Sequence, residues 1–245
     1  MDVTMLKGIL FDLGSTLIEF DNTDWGKLEQ ECLRNAYQLL SQDYRVPQWE
    51  QFAEEFLGRF HQDWLEADQT LREIRLADWV SHYLQENHVI SQDGIGREFI
   101  NLYYQPIARQ ISLIESAGEV LSHFKQEGLR IGLVSNSSFP SEFHLRELEE
   151  FGLKNYFDYV IFSHDYGFRK PHPGLFCEGL NNLCLSPEEV IFVGDRLRED
   201  VAGAQSVGMK AILKFKPGRD YSFRAVPDAV IHHLNELPKL VHQLS

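Results

Sequence analysis

Three polar residues each close a short apolar run. Asp12 follows Leu6–Phe11, Ser135 follows Leu129–Val134, and Asp195, after Gly194, follows Val190–Val193. Lys170 comes a few residues beyond a further run, Tyr159–Phe162. Apolar runs of this length, bounded by polar residues, read as strands. Ligands of an open parallel sheet bind outside the carboxyl ends of its strands. These four residues would therefore share one rim and offer it a carboxylate nucleophile, a hydroxyl, a cation and a second carboxylate. A carboxylate nucleophile splits one difficult displacement into two easier steps. Singly, each is the kind of residue that closes any strand or caps any helix. Their joint placement carries the signal.

The elements that must position them are legible. Lys210–Phe215 and Ala229–Ile231 add two more runs, and helical stretches separate the runs from the second onward. Continuous apolar strands spaced by helices predict a parallel sheet covered on both faces, with right-handed crossovers. Ser116 is placed to cap a helix that reaches Gln126 and is closed by Gly128. Pro173 suits the first turn of the helix carrying Leu175, Phe176 and Leu180, and Ser186-Pro187-Glu188-Glu189 predicts a short helical turn.

A different texture fills residues 22–105, which contain no strand-like run. Trp25, Leu28, Cys32, Ala36 and Leu40 fall at helical spacing. So do Trp49, Phe52, Phe56, Phe60 and Trp64, after Pro47 at an expected first helical position. Leu71, Ile74, Leu76, Trp79, Val80 and Tyr83 predict a third helix; Ile95, Phe99 and Leu102 predict a fourth, stopped near Pro106. A crossover this long is not a loop. The expected architecture is an α/β, Rossmann-like parallel-sheet core formed by residues 1–21 and 107–245, with a four-helix cap, 22–106, inserted into it. The aromatic stripe of the helical segment reads as packing rather than as a cofactor site.

Composition narrows the function. The 245 residues carry 23 Lys and Arg against 37 Asp and Glu, a net charge of −14. That charge opposes nucleic-acid binding, and any site for a phosphorylated molecule must bring its own local cations. Hydrophobic residues make up 43%, enough for a full core without staples. Three cysteines, Cys32, Cys177 and Cys184, without CxxC spacing, predict buried or inert thiols in a reducing compartment. No apolar run approaches the ~18 residues of a membrane span, and Met1–Lys7 lacks a leader layout. A cytoplasmic protein is expected, monomeric or homodimeric.

The four strand-end segments resemble, in order and spacing, the motifs of the haloacid dehalogenase (HAD) superfamily. Phe11-Asp12-Leu13-Gly14-Ser15-Thr16-Leu17 is similar to the first motif and Ser135-Asn136 to the second. Arg169-Lys170-Pro171-His172-Pro173 is similar to the third, and Gly194-Asp195-Arg196 with Glu199-Asp200 to the fourth. The inserted helices resemble a C1-type cap. The resemblance covers essentially the whole chain and implies Mg²⁺-dependent removal of phosphate from a small phosphorylated metabolite through an aspartyl-phosphate. Asp12 would be the nucleophile. Asp12, Asp195 and the Gly14 carbonyl would ligate Mg²⁺, with Asp200 a ligand or an orienter of one. Lys170 would neutralise phosphate charge and hold Asp12; Thr16, Ser135 and Asn136 would serve the phosphoryl oxygens. Arg169 reads as a solvated surface residue.

One position departs from the pattern. Most phosphatases of the superfamily carry an acid/base Asp two residues after the nucleophile; here that residue is Gly14, followed by Ser15 instead of the usual Gly. General acid–base help is typically worth ~10²–10⁴ in rate. Three readings follow: a substitute proton donor (His61, His82, His172 or metal-bound water), a substrate with a good leaving group, or a degenerate site kept for binding or regulation. The superfamily's 2-haloacid dehalogenases also lack that Asp but place an aromatic residue there. Gly194-Asp195 looks like the metal-binding form and favours the phosphatase. The connection Asp43–Pro47 would bring Arg45 to a substrate anion once the cap, hinged near Glu19–Asp24 and Gln105–Ser112, closes. His232-His233 reads as a surface turn after a strand.

Overall fold

Gly8–Phe11 (β1) is buried along its whole length, as a run of four apolar residues with no alternation demands of a central parallel strand. The computed structural model describes residues 5–20, 24–89 and 94–244. Over these the chain forms further strands at Ile18–Phe20 (β2), Ile111–Leu113 (β3), Arg130–Ser135 (β4), Tyr159–Phe162 (β5), Val190–Gly194 (β6), Lys210–Lys214 (β7) and Ala229–Ile231 (β8). Its helices are Trp25–Asp43 (α1), Trp49–Thr70 (α2), Leu76–Glu86 (α3), Ile95–Ala108 (α4), Ala117–Gln126 (α5), Ser141–Glu150 (α6), Ser163–Tyr166 (α7), Pro173–Leu183 (α8), Gly203–Ser206 (α9) and Leu237–Leu244 (α10). They divide into two compact units: Met1–Glu19 with Leu113–Ser245, and Phe20–Ser112.

The first unit is the sheet, ordered β5-β4-β1-β6-β7-β8, and every neighbouring pair is parallel. All six expected runs are strands of this sheet, so the chain is an α/β protein with a Rossmann-like core. β1 pairs with β4 on one side and β6 on the other, Phe11 lying against both Leu133 and Val193. Strand order therefore reverses about β1, and the crevice outside its carboxyl end is the topological switch point. Beneath it Leu10, Phe176, Phe192 and Val201 pack in a core of wholly buried side chains.

Among the described residues the second unit holds four helices. Phe52, Phe56, Tyr83 and Phe99 interlock, with Phe56 ring centroids 5.1 Å from Tyr83 and 5.5 Å from Phe99. The aromatic stripe is packing, as its spacing predicts. The helical segment expected over 22–106 falls within this unit. Of its expected linkers, Asp21–Thr23 lie outside the described residues, as do Met1–Thr4 of the N-terminal segment.

α4 ends near Pro106 as expected, at Ala108, with the proline inside its last turn. Proline cannot donate to the carbonyl four residues back. Here that carbonyl belongs to Leu102, and the Asn35 side-chain amide donates to it at 2.7 Å, so the turn survives. Several local readings need correction. Pro47 precedes the cap residue Gln48 of α2 and is not its first residue. Leu71 ends α2 in a left-handed conformation, so the third helix starts only at Leu76. Ser116 occupies the N-cap position of α5, but at φ 65 its side chain makes no cap hydrogen bond. Gly128, at φ +80, closes that helix as expected. Pro173 opens α8, and Ser186 with Glu189 forms a capping box. Of the cysteines, all free, Cys177 and Cys184 are exposed and only Cys32 is buried. Burial, with Glu31 nearby, pushes the Cys32 thiol up to about 12, so it is inert.

Candidate active site

The strand ends bring Asp12, Ser135, Lys170, Asp195 and Asp200 to one place. Asp12 is held from both sides: its Oδ1 accepts from Ser135 Oγ (3.0 Å) and Lys170 Nζ (2.6 Å), and its Oδ2 accepts from Thr16 Oγ1 (3.4 Å). Lys170 Nζ also donates to Asp200 Oδ1 at 2.7 Å, so one ammonium bridges two carboxylates. Lys170 and Asp200 are almost wholly buried.

The loop after β1 turns back on itself, the Leu13 carbonyl accepting from the backbone N–H groups of Thr16, Leu17 and Ile18. Ser15 stands in the left-handed region at φ 59, a strained setting for a residue with a Cβ. Asn136 fixes the third segment rather than reaching into the crevice: its Oδ1 accepts from Lys170 N (2.7 Å) and its Nδ2 donates to Lys170 O (3.2 Å). After β6 the chain makes a wide π-helical turn, Leu197–Ala202. That turn lets Asp200 point back, its Oδ2 accepting from the backbone N–H of Asp195 (3.0 Å) and Arg196 (2.9 Å). The approach requires glycine at 194, where a Cβ would lie 2.4 Å from Asp200 Cγ.

Ligating oxygens of Asp12, Asp195 and Asp200 all lie within 4.8 Å of one another, and all three residues are buried. Burial, reinforced by the Asp200 and Asp12 charges, pushes the Asp195 carboxyl up to about 7. Burial also raises Asp200, although Lys170 opposes the rise. For Lys170, burial would lower the ammonium, but the Asp12 and Asp200 charges prevail and raise it. Asp195 Oδ2 is buried and accepts no hydrogen bond, although it pairs with Arg219 Nη2 at 2.6 Å. Three hard oxygen donors with excess negative charge fit a Mg²⁺ ion. Burial, with the Asp12 charge nearby, raises both Asp195 and Asp200.

Other expectations fare differently. Arg169 is buried, not a solvated surface residue. His172 Nδ1 accepts from Gly174 N (3.1 Å), capping α8, while its ring stacks on Phe168. His61 pairs with Glu29 and His82 with Glu86, each within the helical unit. Arg45 is exposed. His233 caps the turn after β8, as a surface reading of that pair predicts.

Sequence reasoning missed a cationic loop after β7. Lys214 Nζ donates to the Ser15 carbonyl (3.0 Å), and Lys216 Nζ to Ser15 Oγ (2.8 Å) and Glu19 (2.6 Å). Arg219 Nη2 reaches Ser15 Oγ at 3.2 Å. A signal was available: residues 196–224 hold seven Lys and Arg against three Asp and Glu, in an acidic chain. Also missed was the contact of Ser137 Oγ with His144 Nε2 (2.6 Å), whose Nδ1 meets Glu147 (2.9 Å). Ser137 Oγ also accepts from Phe139 N (3.0 Å), so this chain of contacts braces the loop after β4.

A reversal of strand order with Asp12 on the loop after the central strand, and Asp195 and Asp200 after its neighbour, puts three carboxylates at the switch point of an α/β fold. Residues 6–208 match the haloacid dehalogenase-like hydrolase family, and the chain belongs to it. It is 28% identical over 216 residues to the glyceraldehyde 3-phosphate phosphatase of Methanothermobacter thermautotrophicus, covering 85% of each chain. To the same-named protein of Pyrococcus abyssi it is 29% identical over 227 residues, covering 88% of this chain and 83% of that one. Among solved structures, a HAD phosphatase from Thermococcus onnurineus superposes at TM-score 0.64 with 25% identity, covering 96% of this chain and 98% of that one. A 2-haloacid dehalogenase from Pseudomonas syringae pv. Tomato DC3000 gives TM-score 0.73 with 23% identity, covering 98% and 100%, a likeness of fold alone. No helix among the described residues is long and apolar enough to cross a membrane.

Proposed function

We propose that this hydrolase is a Mg²⁺-dependent phosphatase of small phosphorylated metabolites, working through an aspartyl-phosphate on Asp12. The observation that carries the reading is the buried group in which Lys170 joins Asp12 to Asp200 beside Asp195. Without a cation among them, three buried carboxylates this close would be electrostatically costly, which favours the metal-dependent phosphatase over a dehalogenase that works without metal. The phosphatases among the relatives support the same reading.

Asp12, Asp195 and the Gly14 carbonyl would hold Mg²⁺, with Asp200 as a further ligand or as the anchor of the 195–196 backbone. Bound there, the ion supplies charge neutralisation for an anionic nucleophile meeting an anionic phosphoryl group. The chain's own residues do the rest. Ser135 and Lys170 engage Asp12 Oδ1, leaving Oδ2, with Thr16 alone upon it, to attack phosphorus. The Asp12 O–P bond forms as the bond to the leaving oxygen breaks. Water then attacks the same phosphorus, releasing phosphate and restoring the carboxylate. Lys170 and the hydroxyls of Ser135 and Thr16 stabilise the charge that spreads over the phosphoryl oxygens.

Gly14, where most phosphatases of the superfamily carry an acid/base Asp, offers no proton to the leaving oxygen. The leaving group must then be a good one or draw its proton from water, so acyl phosphates and activated esters are the faster substrates. The helical unit is assigned the role of cap, setting selectivity. The unpaired cysteines fit a reducing, cytoplasmic setting.

Phosphate release measured over a panel of phosphomonoesters and acyl phosphates with Mg²⁺ tests this reading. Asp12→Asn is expected to lower it by about 10⁴-fold or more. Turnover that survives in Asp12→Asn, or no release from any panel member, overturns it.

A further inference from the structure

A second concavity lies within the sheet unit, beside the carboxylates. Its volume is about 620 Å³, and the π-helical turn after Asp195 and the loop after β7 line it. That volume suits a metabolite-sized ligand. Four of the chain's fourteen arginines, Arg196, Arg198, Arg219 and Arg224, face it. Glu199 and Asp220 also line it, leaving an excess of positive charge. In a chain of net charge −14 this is where an anion would find cations. Phe223 adds an apolar wall, with 45% of its surface exposed.

Arg219 belongs to both places. Its Nη2 pairs with Asp195 Oδ2 at 2.6 Å, while its side chain lines the cavity. Its Nε is buried and makes no hydrogen bond. Guanidinium groups match carboxylate and phosphate geometry in particular.

We propose that this cavity seats the non-reacting acid group, a carboxylate or second phosphate, of the phosphorylated substrate, so that substrates with two separated acid groups are preferred. The assignment rests on the phosphatase reading and sharpens it to a substrate class. Because Arg219 contacts Asp195, a molecule whose phosphoryl group meets Asp12 needs only a short spacer to reach it. Such substrates come from reactions that phosphorylate hydroxy acids or already phosphorylated polyols.

The test compares 3-phosphoglycerate with glycerol 3-phosphate, which differ by a carboxylate in place of a hydroxymethyl group. kcat/KM is expected to favour the carboxylate by about tenfold or more, chiefly through KM. Arg198→Ala and Arg224→Ala should each cut that preference at least threefold. Equal rates on the pair, or a preference unmoved in both variants, overturns the assignment. Acceleration of glycerol 3-phosphate hydrolysis by added sulfate would place a free anion there and overturn it too. If neither ester is hydrolysed, the phosphatase reading is judged on the wider panel of acyl phosphates and activated esters. Calorimetry with inorganic pyrophosphate on Mg²⁺-free protein then decides the cavity: binding lost in the double variant supports an oxyanion site, and equal binding overturns it.

Discussion

The two units bury different chemistry. Every buried charged, histidine, serine or threonine side chain among the described residues lies in the sheet unit, including Asp12, Lys170, Asp195 and Asp200. The helical unit buries aliphatic and aromatic groups and the Cys32 thiol; its ion pairs, such as Arg59–Asp63 and His61–Glu29, are at the surface. An apolar core is held by area and shape, and it yields gradually when altered. A buried polar cluster is held by mutual satisfaction, and removing one member strands the others. The sheet unit thus stakes stability on the same residues that could do chemistry, while the helical unit keeps its interior free of that conflict.

The largest contrast comes from Lys170→Met. It strands two buried carboxylates and is expected to cost about 3–5 kcal/mol of folding stability, read by urea denaturation, and to abolish phosphate release. Adding Asp200→Asn should return part of the stability and none of the activity. A loss under 1 kcal/mol would show that the cluster is already protonated or hydrated and would erase the distinction between the two interiors. In the helical unit Phe56→Ala is expected to cost about 3 kcal/mol, since Phe56 is 1% exposed and ringed by Trp79, Tyr83 and Phe99. No second polar change should rescue it.

A smaller effect probes a place where the helical unit leans on a polar donor. Asn35→Ala removes the donor to the Leu102 carbonyl and should cost about 1–2 kcal/mol by thermal melting. In a Pro106→Ala background, where the backbone N–H returns, the same change should cost less than half as much. Equal cost in both backgrounds would show that Asn35 acts through its other contact, Gln105.

The smallest effect lies at the surface of the sheet unit. Burial would raise the Asp158 carboxyl, but Lys125 at 2.8 Å and the Ile131 N–H hold it below its ordinary value. A carboxylate lowered by folding stabilises the fold above its unfolded pKa, and that gain is lost as pH falls through the lowered folded value. Lys125→Met should therefore cost about 0.5 kcal/mol at pH 7, discounted for solvent screening. The difference from the unaltered protein should close in acid. A gap that persists below the folded pKa would point to lost packing by the lysine stem instead.

The sheet was readable because central parallel strands must be apolar without interruption, so all six runs announced themselves. β2 (Ile-Glu-Phe) and β3 (Ile-Ser-Leu) are each interrupted by a polar residue, so neither forms an apolar run. That the helix runs through Pro106 for two more residues was not legible, because the donor that satisfies its turn lies 67 residues away in sequence at Asn35. Asp12, Ser135, Lys170 and Asp195 were legible because strand ends share a rim by topology. Arg169 was not, since burial of a charge depends on neighbours that local pattern does not encode. Nor were Lys214, Lys216 and Arg219: a solvated loop and one folded back onto Ser15 have the same composition.

Gly194 and Gly58 are identical in type and opposite in prospect. A methyl at 194 would collide with Asp200, whereas one at 58, within α2, meets nothing within 4 Å. Saturation mutagenesis selecting for folded, active protein should return glycine alone at the first position. At the second it should enrich alanine, which gains about 1 kcal/mol of helix propensity. An engineer seeking a hardier version of this molecule would begin in the helical insert and leave the rim of the sheet untouched.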